Sequence, residues 1–509
     1  MNSADCPSGI RKIAKNTGIV YLRMIFLIVI SFYTSRILLK TLGIIDFGVY
    51  SIVGSIAATF AAIRSLFSES IQRFLNVSKG KYSKDYSEQI SIFNISLIIH
   101  LLLVVLFVLV VELVGFWLLQ NKLDIPTERY EAACFVFHMT VIATSLSILS
   151  IPYDAVIIAN EKMGFYATIT ILDGFLKLLF VFLLPIINVD YLKSYSLLLL
   201  FIPLSTLFFQ LLYVRRFEEC KYEIRYDKRL FKEISSLSGW NFFGNISFSL
   251  IHEGINMFLN VYGGVVMNSA RAIAYQVRAV TSQMTTNTML AIRPSIMQRS
   301  SILGKQEFYE SIITLSRISL FAMLIPVASL LVYTPQILEI WLGVVPDKAA
   351  LFTRIILIGI IFRSLHDPIN IMYMSLGKIR RVMIVESFVM LFFLALVYVV
   401  LKMGFPIWSP FVVLSGMELV IIVLISGNAY YELDFPFNKY LMRVIIPMFV
   451  MIVISAILLN SLSCILKADS LVNTIVGAIL SAVIETLVCF VFMENKEHEL
   501  LKSLVKSKK

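Results

Sequence analysis

The chain has 509 residues, 58% of them hydrophobic and only 15% charged, with a mean hydropathy of +0.84. Soluble globular domains carry about 25% charged residues, so this composition excludes a water-soluble fold; disorder and coiled coils fail for want of a polar excess or a strict repeat. The net charge of +11 then reports orientation in a membrane and not affinity for nucleic acid.

The first 18 residues are polar and lack an apolar core followed by small residues, so no cleavable signal is expected. A bilayer span takes about 20 mostly apolar residues. In chain order, such stretches fall near 18–40, 44–67, 90–119, 130–158, 164–188, 194–214, 237–260 and 265–292. Six more lie near 311–333, 351–376, 381–402, 408–430, 440–460 and 470–493. None alternates as a barrel strand does, so the expectation is an all-α polytopic membrane protein of about 14 transmembrane helices. Loops this short leave no room for a separate catalytic domain.

With the N-terminus placed in the cytoplasm, the cytoplasmic segments hold 27 basic residues and the opposite loops 7. Both termini are therefore expected on the cytoplasmic side.

The chain also repeats itself. Pro152 and Pro368 each precede a lysine by ten residues, Lys162 and Lys378, and lie 216 apart. Gly80-Lys81 and Gly304-Lys305 lie 224 apart, and Gly43 and Gly264 lie 221 apart. Two halves of six spans related by an axis along the membrane normal are implied, the plan of an alternating-access transporter. The expected layout is a first lobe over 1–214, a basic cytoplasmic linker over 215–236 and a second lobe over 237–430. Two additional helices and a basic tail occupy 431–509.

An arginine at the centre of a span costs roughly 2.5–3.5 kcal/mol. Arg36, Arg317, Arg354, Arg363 and Arg443 lie near span ends and can snorkel. Lys177 follows Asp173 by four residues and can pair with it. The eighth span differs. At 100° per residue, Arg271, Tyr275, Arg278, Ser282, Thr285, Met289 and Arg293 share a narrow arc. The seventh carries Asn241, Asn245, Ser249, His252 and Asn256, the first Asn16, Arg23 and Thr34, and the second Asp46, Tyr50 and Arg64. The asparagines and serines suit either interhelical hydrogen bonding or a cavity lining. Carboxylates are too few and scattered to neutralise the arginines, Glu253 being the nearest, so a cationic cavity with an anionic, phosphate-like ligand is expected.

No GxxxxGK[ST], HExxH or DxD occurs, and the five cysteines have no metal-ligand spacing, so no P-loop, metal site or cofactor is expected. His100 and His138 read as packing residues.

The run NTGIVYLRMIFLIVISFYTSRILLKTLGIIDFGVYSIVG, the segment SESIQRFLNVSKGK and the stretch IPYDAVIIANEKM resemble polysaccharide flippases of the Wzx type. These belong to the multidrug/oligosaccharidyl-lipid/polysaccharide (MOP) exporter superfamily, and the likeness is to those of Bacteroidetes capsule and O-antigen loci. The resemblance implies two MATE-like six-helix lobes and two extra helices in the bacterial inner membrane. It implies transport of undecaprenyl-diphosphate-linked oligosaccharide units from the cytoplasmic to the periplasmic leaflet, with a polymerase and a chain-length protein as partners. By position in the repeat, Arg23, Arg271 and Arg278 match the arginines such proteins use, with Arg64, Tyr275, Asn241 and Asn245 beside them. Asp46, Asp154 and Glu253 are candidates for ion coupling; Asp154 stands where many relatives carry Asn, and a helix-end cap is its plainer reading. A MATE-like multidrug antiporter is the main alternative. An O-antigen polymerase or ligase fits less well, because it needs a large periplasmic loop.

Overall fold

The computed structural model describes residues 6–58, 62–81, 86–187, 189–223, 227–466, 470–495 and 497–498. It describes their side chains apart from those of 6–25, 62–66, 69, 80–81, 236–245, 284–285, 287–288, 290–295 and 297–302. Every described element is helical. The helices are α1 (Cys6–Ala58), α2 (Ala62–Lys81), α3 (Ser87–Val110), α4 (Phe116–Asn121), α5 (Tyr130–Leu149), α6 (Ile151–Ala159), α7 (Met163–Leu183) and α8 (Tyr191–Val214). Then come α9 (Lys228–Ile302), α10 (Lys305–Leu342), α11 (Ala349–Arg363), α12 (His366–Ser375), α13 (Ile379–Lys402) and α14 (Ser409–Leu433). The last three are α15 (Phe437–Tyr440), α16 (Ile446–Ile465) and α17 (Leu471–Phe492).

Eleven segments among the described residues are long and apolar enough to cross a bilayer, which makes this a multi-pass membrane protein. Two features separate this number from the expected fourteen. The first two spans are one helix, α1, interrupted only at Gly43, and α9 is too polar along its length to read as a lipid-facing span. The expected second span ends near 67, yet α2 continues to Lys81.

Gly43 has φ 78° and ψ 171°, and Gly264, inside α9, has φ 71° and ψ −178°. That conformation is almost confined to glycine, so each breaks its helix into two arms. The positive φ of Glu161 (56°) recurs at Gly377 (70°), at the same 216-residue offset as the two prolines.

The chain folds as two compact units, Met1–Ser269 and Ala270–Lys509. In the first, α5 packs on α8 and α7 on α1. Its core includes Ile52, Phe93, Ile151 and Ile157. In the second, α10 packs on α17 and α11 on α14, around Phe352, Phe411 and Met448. Outward faces are apolar too. Leu101, Leu102, Val105, Leu106 and Leu109 form an exposed stripe along α3, continued by Leu113 in the π-helical turn Val111–Gly115 that follows it, as lipid contact requires.

Candidate functional site

In the second unit, α9 presents a cationic face. Arg271 is buried, and its guanidinium carbon lies 3.9 Å from the centre of the Tyr275 ring. Arg278, one turn further on, lies 5.3 Å from the same ring. Two guanidinium groups within reach of one aromatic ring gain from its quadrupole, and the four- and three-residue steps from Tyr275 are what put them there. Arg278 also lines a small cavity with Arg363, Ser415 and Glu418. Arg363 donates to the buried Glu418 carboxylate at 3.4 Å, so it is held within the helices and does not snorkel. Beside this group, His366 Nε2 lies 2.6 Å from Glu386 Oε1, and Asn370 Nδ2 lies 3.1 Å from His366 Nδ1.

Other in-span arginines are also engaged. Arg317 is 3% exposed; it donates to Glu497 (Nε, 2.5 Å) and to the Phe492 carbonyl. Arg443 bridges Glu310 (2.8 Å) and Glu494. Arg354 donates to the carbonyls of Leu331 (2.8 Å) and Val332 (2.9 Å). The helix is distorted there: Pro335 has no N–H for the Leu331 carbonyl, and Tyr333 departs from helical angles (φ −98°, ψ 20°). Only Arg36, among the five read as snorkelling, is exposed.

In the first unit, Asp46 accepts from Arg129 Nε (2.7 Å) and Nη2 (2.6 Å), while Arg129 Nη1 reaches Asp190 at 2.7 Å. Asp190 in turn caps α8 through the amides of Leu192 and Lys193. Burial raises the Asp190 carboxyl, but the hydrogen bonds and charge of Arg129 prevail and hold it below the usual carboxylate range. Asp154 is buried in the first turn of α6 and accepts from Gln210 of α8 at 2.7 Å. Glu253 is half-buried on the first arm of α9. Asp46 and Asp154 thus serve different networks.

The polar stripe of that arm is partly internal glue. Asn268 donates to Asn256 (carbonyl 2.8 Å, side chain 2.9 Å), and Asn260 donates to Asn268 (2.9 Å) and to the Asp124 carbonyl (3.1 Å), which ties the two sides of the Gly264 break together. Asp173 accepts from the Thr206 hydroxyl at 2.6 Å. With Lys177 it lines a cavity of about 370 Å³ rich in hydroxyls, including Thr140, Thr144 and Ser196. His100 is buried with Nδ1 2.6 Å from the Ser96 carbonyl, but among the described residues its Nε2 has no hydrogen-bond partner, so it packs without being fully satisfied; His138 is exposed and pairs with Glu112 at 3.1 Å. The side chains of Arg23, Arg64, Asn241 and Asn245 lie outside the described residues.

The structure therefore brings Arg271, Tyr275 and Arg278 together, as their spacing implies, and adds Arg363 and Glu418. Intramembrane carboxylates were the missed signal. Glu418 and Glu485 stand inside apolar runs, and the rule that marks a mid-span arginine marks them equally.

No family model matches the chain, and no curated protein matches it. Solved structures do. An inward-facing multidrug resistance MATE family transporter of the MOP superfamily is similar with a TM-score of 0.68 at 12% identity, covering 82% of this chain and 94% of that one. The lipid II flippase MurJ, in an inward closed conformation, is similar with a TM-score of 0.68 at 14% identity, covering 94% of this chain and 99% of that one. A MOP superfamily transporter from Pyrococcus furiosus Vc1 is similar with a TM-score of 0.53 at 11% identity, covering 84% and 93%. At these identities the likeness is one of fold. The chain has the fold of MOP superfamily transporters.

Proposed function

We propose that the protein is a flippase of the Wzx type. It carries an undecaprenyl-diphosphate-linked oligosaccharide from the cytoplasmic to the periplasmic leaflet of the bacterial inner membrane, by alternating access of two six-helix lobes. Both termini lie in the cytoplasm, and a polymerase and a chain-length protein act on what it delivers. The observation that carries this reading is the cationic face of α9, where Arg271 and Arg278 share Tyr275. Guanidinium groups grip phosphate through paired N–H donors, so a diphosphate is the natural anion there. Arg23 and Arg64 complete the cationic cavity, Asn241 and Asn245 contact the glycan, and the polyprenyl tail stays in lipid.

Two further points support a lipid-linked substrate. The flippase fold accounts for 94% of this chain against 82% for the MATE fold, a difference of about 61 residues. That is close to the length of the last two spans, Phe437–Ile465 and Leu471–Phe492. A multidrug antiporter shares the fold equally by TM-score, but an exporter of cations is better served by a carboxylate-lined cavity than by arginines. Ion coupling, if driven through carboxylates of the first unit, falls to Asp46, Asp154 or Glu253.

The test is substitution at the face itself. Arg271→Ala and Arg278→Ala should each abolish surface polysaccharide while membrane levels stay normal. Arg→Lys should restore it only in part, since an ammonium lacks the planar fork. Full activity in both alanine variants would contradict the phosphate-binding role.

A further inference from the structure

The cavity of about 370 Å³ in the first unit carries a charge that the protein itself does not use. Lys177 lies near the middle of the span Met163–Ile186. Phe175, Leu179 and Phe182, the exposed apolar column of α7, lie on the opposite side of the helix. Lys177 is exposed, and the space it is exposed to is the cavity it lines. Asp173 stands four residues before it, yet among the described residues Lys177 makes neither an ion pair nor a hydrogen bond. An ammonium at that depth is costly, and an intramembrane charge facing a cavity marks a ligand path. The other walls offer oxygen. Thr140, Ser147 and Ser196 donate their hydroxyls to carbonyls of their own helices at 2.7, 3.0 and 2.8 Å, which leaves each an oxygen that can still accept. Leu199 also lines the cavity, and Pro203 has no N–H to offer its carbonyl.

One wall therefore donates through Lys177 and the others accept. A cation would be repelled by the ammonium. An inorganic anion would meet Asp173 and a row of acceptor oxygens, and an apolar molecule would leave Lys177 unmet. A sugar ring answers both demands, because each of its hydroxyls donates and accepts and several are held on one rigid frame. The cavity also has the volume of a small-molecule site. We propose that it binds one sugar residue of the transported glycan, with Lys177 donating to ring hydroxyls and Thr140, Ser147 and Ser196 accepting from them. This rests on the flippase reading and adds to it a sugar site in the first unit.

The experiment replaces the native gene in its own strain by the full chain carrying benzoylphenylalanine at Met139 or at Thr144, both on the cavity wall, and irradiates living cells. The cross-linked peptide should release sugar oxonium ions when fragmented in the mass spectrometer, and Lys177→Met should remove that adduct. Lys177→Met alone should lower surface polysaccharide about tenfold or more, the loss of one charge-assisted hydrogen bond to the ligand. It should not lower the melting temperature of the purified protein, because Lys177 holds nothing in the fold. A fall in melting temperature would make the lysine structural and overturn the proposal, as would undiminished polysaccharide in Lys177→Met. Adducts of acyl chains alone, or no sugar adduct at either position, would overturn it too. If the native chain restores surface polysaccharide to a deletion strain while no sugar adduct forms, the sugar site fails and the flippase reading stands. If the native chain restores none, both fall.

Discussion

Arg129 holds two carboxylates that are far apart in the chain, and its removal would leave Asp46 and Asp190 facing each other. Both sites are about a quarter exposed or less, so Arg129→Met should cost about 1–3 kcal/mol, below the value for a fully buried pair. The sign of the pH dependence follows from Asp190, whose folded value is depressed. Its contribution is fully present above the ordinary carboxylate value of about 3.9 and is lost as pH falls through the lower folded value. Thermal unfolding across pH should therefore show the gap between native and Arg129→Met proteins narrowing below about pH 4. A gap that widens there would contradict the ion-pair account. Arg354 gives a second case, because it supplies the Leu331 carbonyl with the donor that Pro335 lacks. Arg354→Leu should lower stability by about 1–3 kcal/mol, and adding Pro335→Ala, which restores an N–H for the Leu331 carbonyl, should recover part of the loss. Strict additivity in that double-mutant cycle would show the two residues to be independent. These roles were not legible from sequence. Periodicity sorts residues onto helix faces, but which carboxylate meets which arginine depends on packing between distant segments, as with Arg317 and Glu497, 180 residues apart.

At the scale of helices, the glycine breaks carry the most information. Gly43 and Gly264 were readable as counterparts from their spacing, and their backbones share one glycine-only conformation. Gly43→Ala should cost about 1–3 kcal/mol. Gly54→Ala, at a helical position in the same helix with open space around its Cβ, should be neutral or slightly stabilising. Equal melting temperatures for the two variants would remove the strain argument. Gly48 is constrained differently: a Cβ there would overlap the Val265 carbonyl oxygen, so Gly48→Ala should be worse tolerated than Gly54→Ala. The extent of the helices was less legible than their existence. Hydropathy ends the second span near 67 because the following residues are polar, yet α2 runs on to Lys81. There, Lys79 pairs with Glu219 at 2.9 Å and donates to Asn160 at 2.7 Å, docking the segment after α8 onto the ends of α2 and α6. Burial raises the Glu219 carboxyl, but Asn160 and Lys79 outweigh it and hold it low.

For the molecule as a whole, membrane class and transporter fold followed from composition, span spacing and the internal offsets. The cationic face followed from one helical arc. Its surroundings did not, since Arg363 and Glu418 come from other helices. Topology is open to direct check: reporter fusions at Lys228 and the C-terminus should read cytoplasmic, and fusions near Asp124 and Lys348 periplasmic. The central claim is that a completed lipid-linked glycan crosses the bilayer through this protein, after assembly and before polymerisation. It is tested most directly by the sidedness of lipid-linked glycan in a strain lacking the protein, probed with an impermeant lectin or periodate. Glycan that reacts only after the cells are broken, with surface polysaccharide missing, is the expected result; glycan accumulated on the outer leaflet, or no accumulation with surface polysaccharide intact, would contradict it.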